Sequence, residues 1–426
     1  SNYLCFKILI MFKVYFKQAL KLLKQNKFIS VITIVGTALA IMMVMVIIVT
    51  DQIKNNNLAP EVNRDKSWYV KYYQLEQREG TSTKSSYLNY FMYKDYLSEV
   101  KSYDIATVFV PPEPDELYIV RAKDNDKRFY EPIVCCDANF WKVMSYSFIE
   151  GRPFTQVEFD DGIHNVILSE KLAKKLFGNE SAINKTVYIF KQAYEVIGVV
   201  ENVSRAFEFT SGEVLMPFTA TPDYESWPYH IIYLLEDNKM AAELDKEVRA
   251  AEQRFNAVDD EWDITFRGPY NHRTQMSAVW ANVDPNPFMD LMRRILIIAI
   301  LLIIPAINLS SFSISRVKRR MEEIGIRKAF GAKNRVILNQ ILYENLITSL
   351  LGGIIGLVLS YITVIWLKDW LLNAGAGDTL PLSAFVMPSI FLYVFIVCVL
   401  LNLLSAIVPA YKAARMNIVS SLNRNE

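Results

Sequence analysis

The sequence predicts an α-helical membrane protein with four transmembrane helices plus a large α+β domain of two subdomains held outside the membrane. Three observations carry this prediction. Apolar runs at residues 28–49, 295–313, 346–367 and 385–408 each approach or exceed the roughly 20 residues that cross a hydrocarbon core of about 30 Å. The stretch between the first two runs, residues 51–290, has mixed charge and alternating strand-like and helix-like apolar patterns. Basic residues crowd the run ends that share one membrane face, although the net charge of the 426 residues is only +1. Near-neutrality gives no reason to expect nucleic acid as a partner, and 52% hydrophobic residues suffice for both a soluble core and several spans.

Residues 1–27 are expected to be a cytoplasmic segment. Residues 1–10 precede Met11, itself a candidate start, and Leu4-Cys5 lacks the small-residue pair and cleavable apolar region of a lipoprotein signal. Phe12, Phe16, Leu20 and Leu23 alternate with Lys13, Lys17, Lys21, Lys24 and Lys27, which predicts a basic amphipathic helix suited to an anionic leaflet. Residues 28–50 form the first span. Lysines precede it and Asp51 follows it, so the N-terminus is placed in the cytoplasm and the following domain outside.

Within residues 51–290, strands are predicted at 67–73, 106–110 and 117–120, with a helix over 86–100 that turns Phe91 and Leu97 inward. A later strand at 229–235, a helix over 238–255 with Leu244, Val248, Ala251 and Phe255 on one face, and a strand at 262–266 make a second α/β half. Between the halves an inserted subdomain is expected at about 135–221. It contains a strand and helix over 166–177 and a hairpin over 186–200 closed at Lys191-Gln192-Ala193. Cys135 and Cys136 are adjacent, a spacing at which an ordinary disulfide is hard to form.

Residues 291–426 hold the other spans, at about 295–315, 336–367 and 385–408. Pro305 and Asn308 fall within the second span, where a neighbouring helix could satisfy the polar groups they leave. Gly352, Gly353 and Gly356 in the third allow close helix packing, within one chain or between two. Between these spans lies a charged amphipathic segment, about 319–331, confined to the cytoplasmic face. Met321, Ile324, Ala329 and Phe330 recur at helical spacing among Glu322, Glu323, Arg327 and Lys328, and Gly331 suits the helix end. An ordinary basic loop is the plainer reading of the same charges.

The run Glu323-Ile324-Gly325-Ile326-Arg327-Lys328-Ala329-Phe330-Gly331-Ala332, followed by Gln340, Glu344 and Gly352-Gly353-Ile354-Ile355-Gly356, resembles the permease signature of MacB/FtsX-like (type VII) ABC transporters. Asp137 to Met144, Glu150 to Phe154 and the elements over 166–200 resemble the MacB-like periplasmic core domain. The resemblance implies that Met321 to Gly331 is a coupling helix docking on an ABC ATPase, with Ile324 and Phe330 expected to be the dominant contacts. It further implies a bacterial inner-membrane location, a periplasmic domain, both termini cytoplasmic, and a second permease copy or paralogue. ATP hydrolysis would drive periplasmic movement, mechanotransmission, and thereby efflux of a substrate. A periplasmic adaptor and outer-membrane channel would complete such a system. An FtsX-like regulator of cell-wall hydrolases, a lipoprotein-releasing permease and a membrane-anchored periplasmic enzyme remain alternatives.

No G-x-x-x-x-G-K-[ST] phosphate loop occurs, so the expectation is a non-enzymatic subunit without cofactor, with ATP and Mg bound by an ATPase on a separate polypeptide. His164, His230 and His272 lack metal-ligand spacing, and the acidic residues Asp259, Asp260, Glu261 and Asp263 lack a calcium-loop pattern. No catalytic or metal-binding residue is therefore assigned.

Overall fold

A computed structural model describes residues 27–113, 116–123, 127–278, 281–319, 321–371 and 388–415. The basic helix expected before residue 27, the loop after Leu371 and the tail after Arg415 lie outside the described residues. Contacts divide the chain at Asp51/Gln52, Asp290/Leu291 and Lys368/Asp369 into a helical unit and an α+β unit.

The helical unit contains Lys27–Asn55, Pro287–Arg319, Met321–Ala329, Asn334–Leu371 and Pro388–Arg415, of which the first two and Asn334–Leu371 cross the division. Ser30–Asn55 and Asn334–Leu367 are long and apolar enough to cross a membrane, and Pro388–Leu400 is a shorter apolar stretch. Pro305 and Asn308 fall inside the helix Pro287–Arg319. Ala38, Ile41 and Met45, spaced three and four apart, make a buried stripe on the first helix. Gly352 and Gly356 lie against it. A Cβ at Gly352 would come 2.8 Å from Thr37 Cβ, and one at Gly356 would come 2.6 Å from the Ala38 carbonyl oxygen. A Cβ at Gly353 would strike the ring of Phe395 on the helix Pro388–Arg415.

The α+β unit is built on one mixed sheet. Its strands run in the spatial order Tyr270–Asn271, Ser67–Val70, His230–Leu234, Ile105–Val110, Ile133–Cys136, Val214–Pro217, Asn165–Ser169, Gln192–Val200, Thr186–Ile189, Tyr118–Ala122 and Phe129–Glu131, with Phe148–Gly151 also paired to Gln192–Val200. Both faces are covered, so central strands such as Ile133–Cys136, Val214–Pro217 and Asn165–Ser169 are buried at every position instead of alternating. Along Ile133–Cys136, Ile133 and Cys135 enter one core with Leu172, Leu176, Leu244, Val248 and Phe255 of the helices Glu170–Phe177 and Ala241–Val258. Val134 and Cys136 enter the opposite core with Phe140, Phe154 and Phe209. Successive strand side chains point to opposite faces, and both cysteines are free and buried. A second sheet, Trp262–Arg267, Tyr72–Gln77 and Thr83–Tyr87, is antiparallel.

Several local expectations change. The run 67–73 is two strands, not one. Ser67–Val70 belongs to the large sheet and Tyr72–Gln77 to the small one, with the break at Lys71. No glycine, proline or polar cluster marks that switch in the sequence. The helix expected over 86–100 shrinks because Thr83–Tyr87 pairs with Tyr72–Glu76, and Asn89 caps a new turn by accepting from Met92 N–H. Leu97 is buried as expected, whereas Phe91 is 51% exposed. The hairpin turns at Phe190-Lys191, both at positive φ (53° and 65°), so that Ile189 pairs with Gln192. This two-residue geometry usually recruits asparagine and glycine, and without them the sequence hides the turn. The strand Tyr118–Ala122, grouped by sequence with the first half, pairs instead with Thr186–Ile189, inside the expected insertion.

Candidate functional site

The charged segment forms the helix Met321–Ala329, closed by a Schellman arrangement in which Ala332 N–H donates to Arg327 O at 3.0 Å and Gly331 N–H to Lys328 O at 2.9 Å. Gly331 has φ 88°, a left-handed conformation that side-chain-bearing residues rarely adopt. The tight stop lets the chain reverse into Asn334–Leu371 within a few residues.

That reversal lays the short helix on the first turns of the long one. Ile324 packs with Ile337, Ile341 and Ala410. Arg327 donates to Glu323 Oε1 at 2.6 Å and to Gln340 Oε1 at 2.9 Å, and Gln340 Nε2 in turn donates to Glu344 Oε1 at 3.2 Å. Gly325, buried in the helix, leaves no side chain between Ile324 and Ile326. The helix Asn334–Leu371 is about 57 Å long at 1.5 Å per residue, longer than a ~30 Å core, which leaves turns for this polar network beyond the apolar run.

The two expected docking residues therefore separate. Ile324 and Phe330, six positions apart, project about 120° from one another. Ile324 is turned onto its own chain, while Phe330 is 89% exposed. Ile326, four positions before Phe330, shares its face and is 50% exposed. Sequence spacing put Ile326 and Arg327 in the same segment but did not single out the face that Ile326 shares with Phe330 or the bond from Arg327 to Gln340. The polar residues opening an otherwise apolar helix were the available signal for the latter. Met321 and Glu322 lie in the same helix, and Lys328 is half-buried.

In the α+β unit, the segment Glu150 to Phe154 has structural duties. Gly151 sits at φ 74°, where an added Cβ would run into the Ile197 carbonyl. Arg152 makes a two-pronged bond to Glu158 at 2.8 and 2.7 Å, and Phe154 is buried. Thr155 and Glu158 close a capping box on the helix Gln156–Asp160. The Arg152 partner holds the Glu158 carboxyl below its ordinary range, at about 2. Asp259 accepts from the N–H groups of Glu261 and Trp262, and Asp263 pairs with Arg78 at 2.8 Å. Burial pushes the Cys135 and Cys136 thiols upward, away from nucleophilic use.

Residues 30–251 match the model of the MacB-like periplasmic core domain, and residues 295–418 match that of the FtsX-like permease C-terminal domain. The chain is 23% identical over 415 residues to YknZ of Bacillus subtilis, an uncharacterized ABC transporter permease, covering 95% of this chain and 98% of that protein. It is 25% identical over 415 residues to the macrolide export ATP-binding/permease protein MacB of Wolinella succinogenes, covering 95% of this chain and 60% of MacB. Against the pyoverdine export ATP-binding/permease protein PvdT of Pseudomonas putida, identity is 24% over 327 residues, 74% of this chain and 46% of PvdT. The chain thus spans about half the length of these two ATP-binding/permease relatives. The crystal structure of the periplasmic region of MacB from Actinobacillus actinomycetemcomitans aligns with 49% of this chain and 92% of that one, at 18% identity and a TM-score of 0.35. With more than half of its length matched by the first of these domain models, the chain belongs to the MacB-like periplasmic core domain family and, carrying the FtsX-like domain as well, is an ABC transporter permease of the MacB/FtsX type.

Proposed function

We propose that this permease couples ATP hydrolysis, by an ATPase outside the present sequence, to movement of its periplasmic domain, and that this movement exports a substrate from the periplasm. The supporting observation is the helix Met321–Ala329. It is braced on one side by Ile324 and the Arg327–Gln340 bond, and it offers Ile326 and Phe330 on the other. A short helix with an apolar outward face is suited to lie in a groove of a partner, and its brace would pass a push into the helix Asn334–Leu371. Four spans, cytoplasmic termini and two permease copies complete the reading. Transport by a MacB-type system is favoured over hydrolase regulation by the MacB-like core domain.

The test is copurification of the ATPase from native membranes. Burying Ile326 and Phe330 is worth about 1.5–3 kcal/mol each, so Ile326→Asp with Phe330→Asp should abolish retention of the ATPase while the protein still inserts. Ile324→Asp should instead loosen the helix from its own chain and show as lowered thermal stability. Retention of the ATPase and full export by the double variant would refute the docking assignment.

A further inference from the structure

The α+β unit contains a cleft of about 670 Å³, within the size range of pockets that hold drug-sized molecules. Its floor is tied down. Arg64 is bonded to Glu61 at 2.8 Å and to the carbonyls of Ile53 and Asn56, and Glu61 accepts from Thr210 at 2.9 Å. Both charges of this buried pair are thereby satisfied within the protein. His272 is likewise occupied, meeting the Tyr69 hydroxyl at 3.0 Å and the Lys54 carbonyl at 2.9 Å.

Two other lining groups differ. Lys71, at the break between the two sheets, has an 11% accessible side chain. Its ammonium lies 5.0 Å from the Tyr72 ring centroid and 5.5 Å from that of Tyr87. Its ion-pair partner, Glu208, stands 3.7 Å away, beyond hydrogen-bonding reach, and is itself 55% accessible. A cation held this far from water gains from a closer anion. Beside it, His230 is 2% exposed and stacked on Tyr87 at 5.9 Å, and its Nε2 meets no hydrogen-bonding group among the described residues. Burial, reinforced by Lys71, drives His230 well below the ordinary histidine range, so the ring is neutral, and in the tautomer protonated at Nε2 that nitrogen donates one hydrogen bond. Around these groups the lining is mixed, with Phe209, Pro111, Pro112, Leu117 and Met276 giving an apolar part and Arg205, Ser211 and the carboxylates Glu113 and Glu208 a polar one.

We propose that this cleft is a binding site for a small amphipathic organic anion, with the anionic group on Lys71 beside His230 and the apolar body against Tyr87 and Phe209. The site stands independently of the coupling helix and of the ATPase. It would place a ligand-sensing or substrate-holding step in the periplasmic domain.

The probe pair is 1-anilinonaphthalene-8-sulfonate and its neutral counterpart N-phenyl-1-naphthylamine, added to the full chain in lipid nanodiscs with empty nanodiscs subtracted. The sulfonate should bind saturably at one per chain. Lys71→Met should weaken it at least ~10-fold and leave the neutral probe within ~2-fold, because only the ion pair is lost. Lys71→Arg should retain binding, and Lys239→Met, an exposed cation elsewhere, should change nothing. The sequence has only three histidines, so histidine-labelled NMR gives a second readout. His230 should shift on titration, while His164, stacked on Tyr194, should not and so reports that the domain is folded. Equal affinity of wild type and Lys71→Met for the sulfonate, absence of saturation, or an unmoved His230 signal would each overturn the proposal.

Discussion

Glu158 shows how much a single partnered carboxylate can contribute to the α+β unit. It caps Thr155, accepts both prongs of Arg152 and also receives Asn165 Nδ2 at 3.0 Å. These donors favour the ionised form and hold its pKa at about 2, against 4.5 unperturbed. A depressed carboxylate contributes stability in full above its unfolded value and loses it as pH falls through the folded one. Glu158→Gln should therefore cost about 1 kcal/mol at neutral pH, a value discounted because Arg152 is largely exposed. The gap between wild type and variant should narrow from pH ~4.5 downward and close near pH 2. Thermal melts by tryptophan fluorescence across that range test this, and a gap that stays constant with pH would assign the effect to packing. The same segment explains why Glu150 to Phe154 stands out in the sequence. Gly151 is required by its positive φ and the nearby Ile197 carbonyl, Phe154 by burial, and Arg152 by Glu158, none of which needs chemistry.

Among elements, the third long helix is defined by its two halves. Its first turns carry the Gln340–Glu344 bond and receive Arg327, and its glycines receive the first helix. Without a hydrophobic driving force between helices in lipid, association depends on close backbone approach, which Gly352 and Gly356 provide beside Thr37 and Ala38. Gly356→Leu would place a branched side chain where a Cβ alone already meets the Ala38 carbonyl at 2.6 Å. Overpacking of this kind costs about 1–3 kcal/mol. The variant should insert but melt earlier in detergent, while Ile355→Leu, at an exposed neighbouring position, should match wild type. Identical melting of both would remove the glycines from helix packing. Small residues four apart suggest close packing already in the sequence, but not which helix they meet, and that follows only from Thr37 and Ala38 lying beside them. The sequence was less legible in the short helix, because the side on which Ile324 packs depends on where Ile337, Ile341 and Ala410 come to lie.

For the whole molecule, legibility follows the range of the interactions. Long apolar runs and the amphipathic face of Ala241–Val258 are local patterns, and the structure has helices where they predict them. The order of strands is not local. Ile105–Val110 meets Ile133–Cys136 through only Phe109–Cys136 and Val110–Cys135, and that short register joins the two parts of the sheet. No periodicity announces such a junction. Topology, by contrast, rests on charge placement that is plain in the sequence. Lysines crowd residues 13–27, arginines and lysines crowd 316–335, and Asp51 marks the opposite end of the first apolar run. The positive-inside bias therefore predicts that these cations lie on the cytoplasmic face, and each would cost a few kcal/mol at the bilayer centre. A single cysteine at Asn238, exposed in the α+β unit, should react with an impermeant maleimide added to intact cells. One at Asn334, equally exposed but at the start of the helix after Met321–Ala329, should react only after permeabilisation. The native cysteines among the described residues, Cys135, Cys136 and Cys398, are buried and should give little background. Labelling of Asn334→Cys in intact cells would put the short helix outside, out of reach of any cytoplasmic ATPase. The proposed coupling would then fail whatever the affinity of Ile326 and Phe330 for a groove.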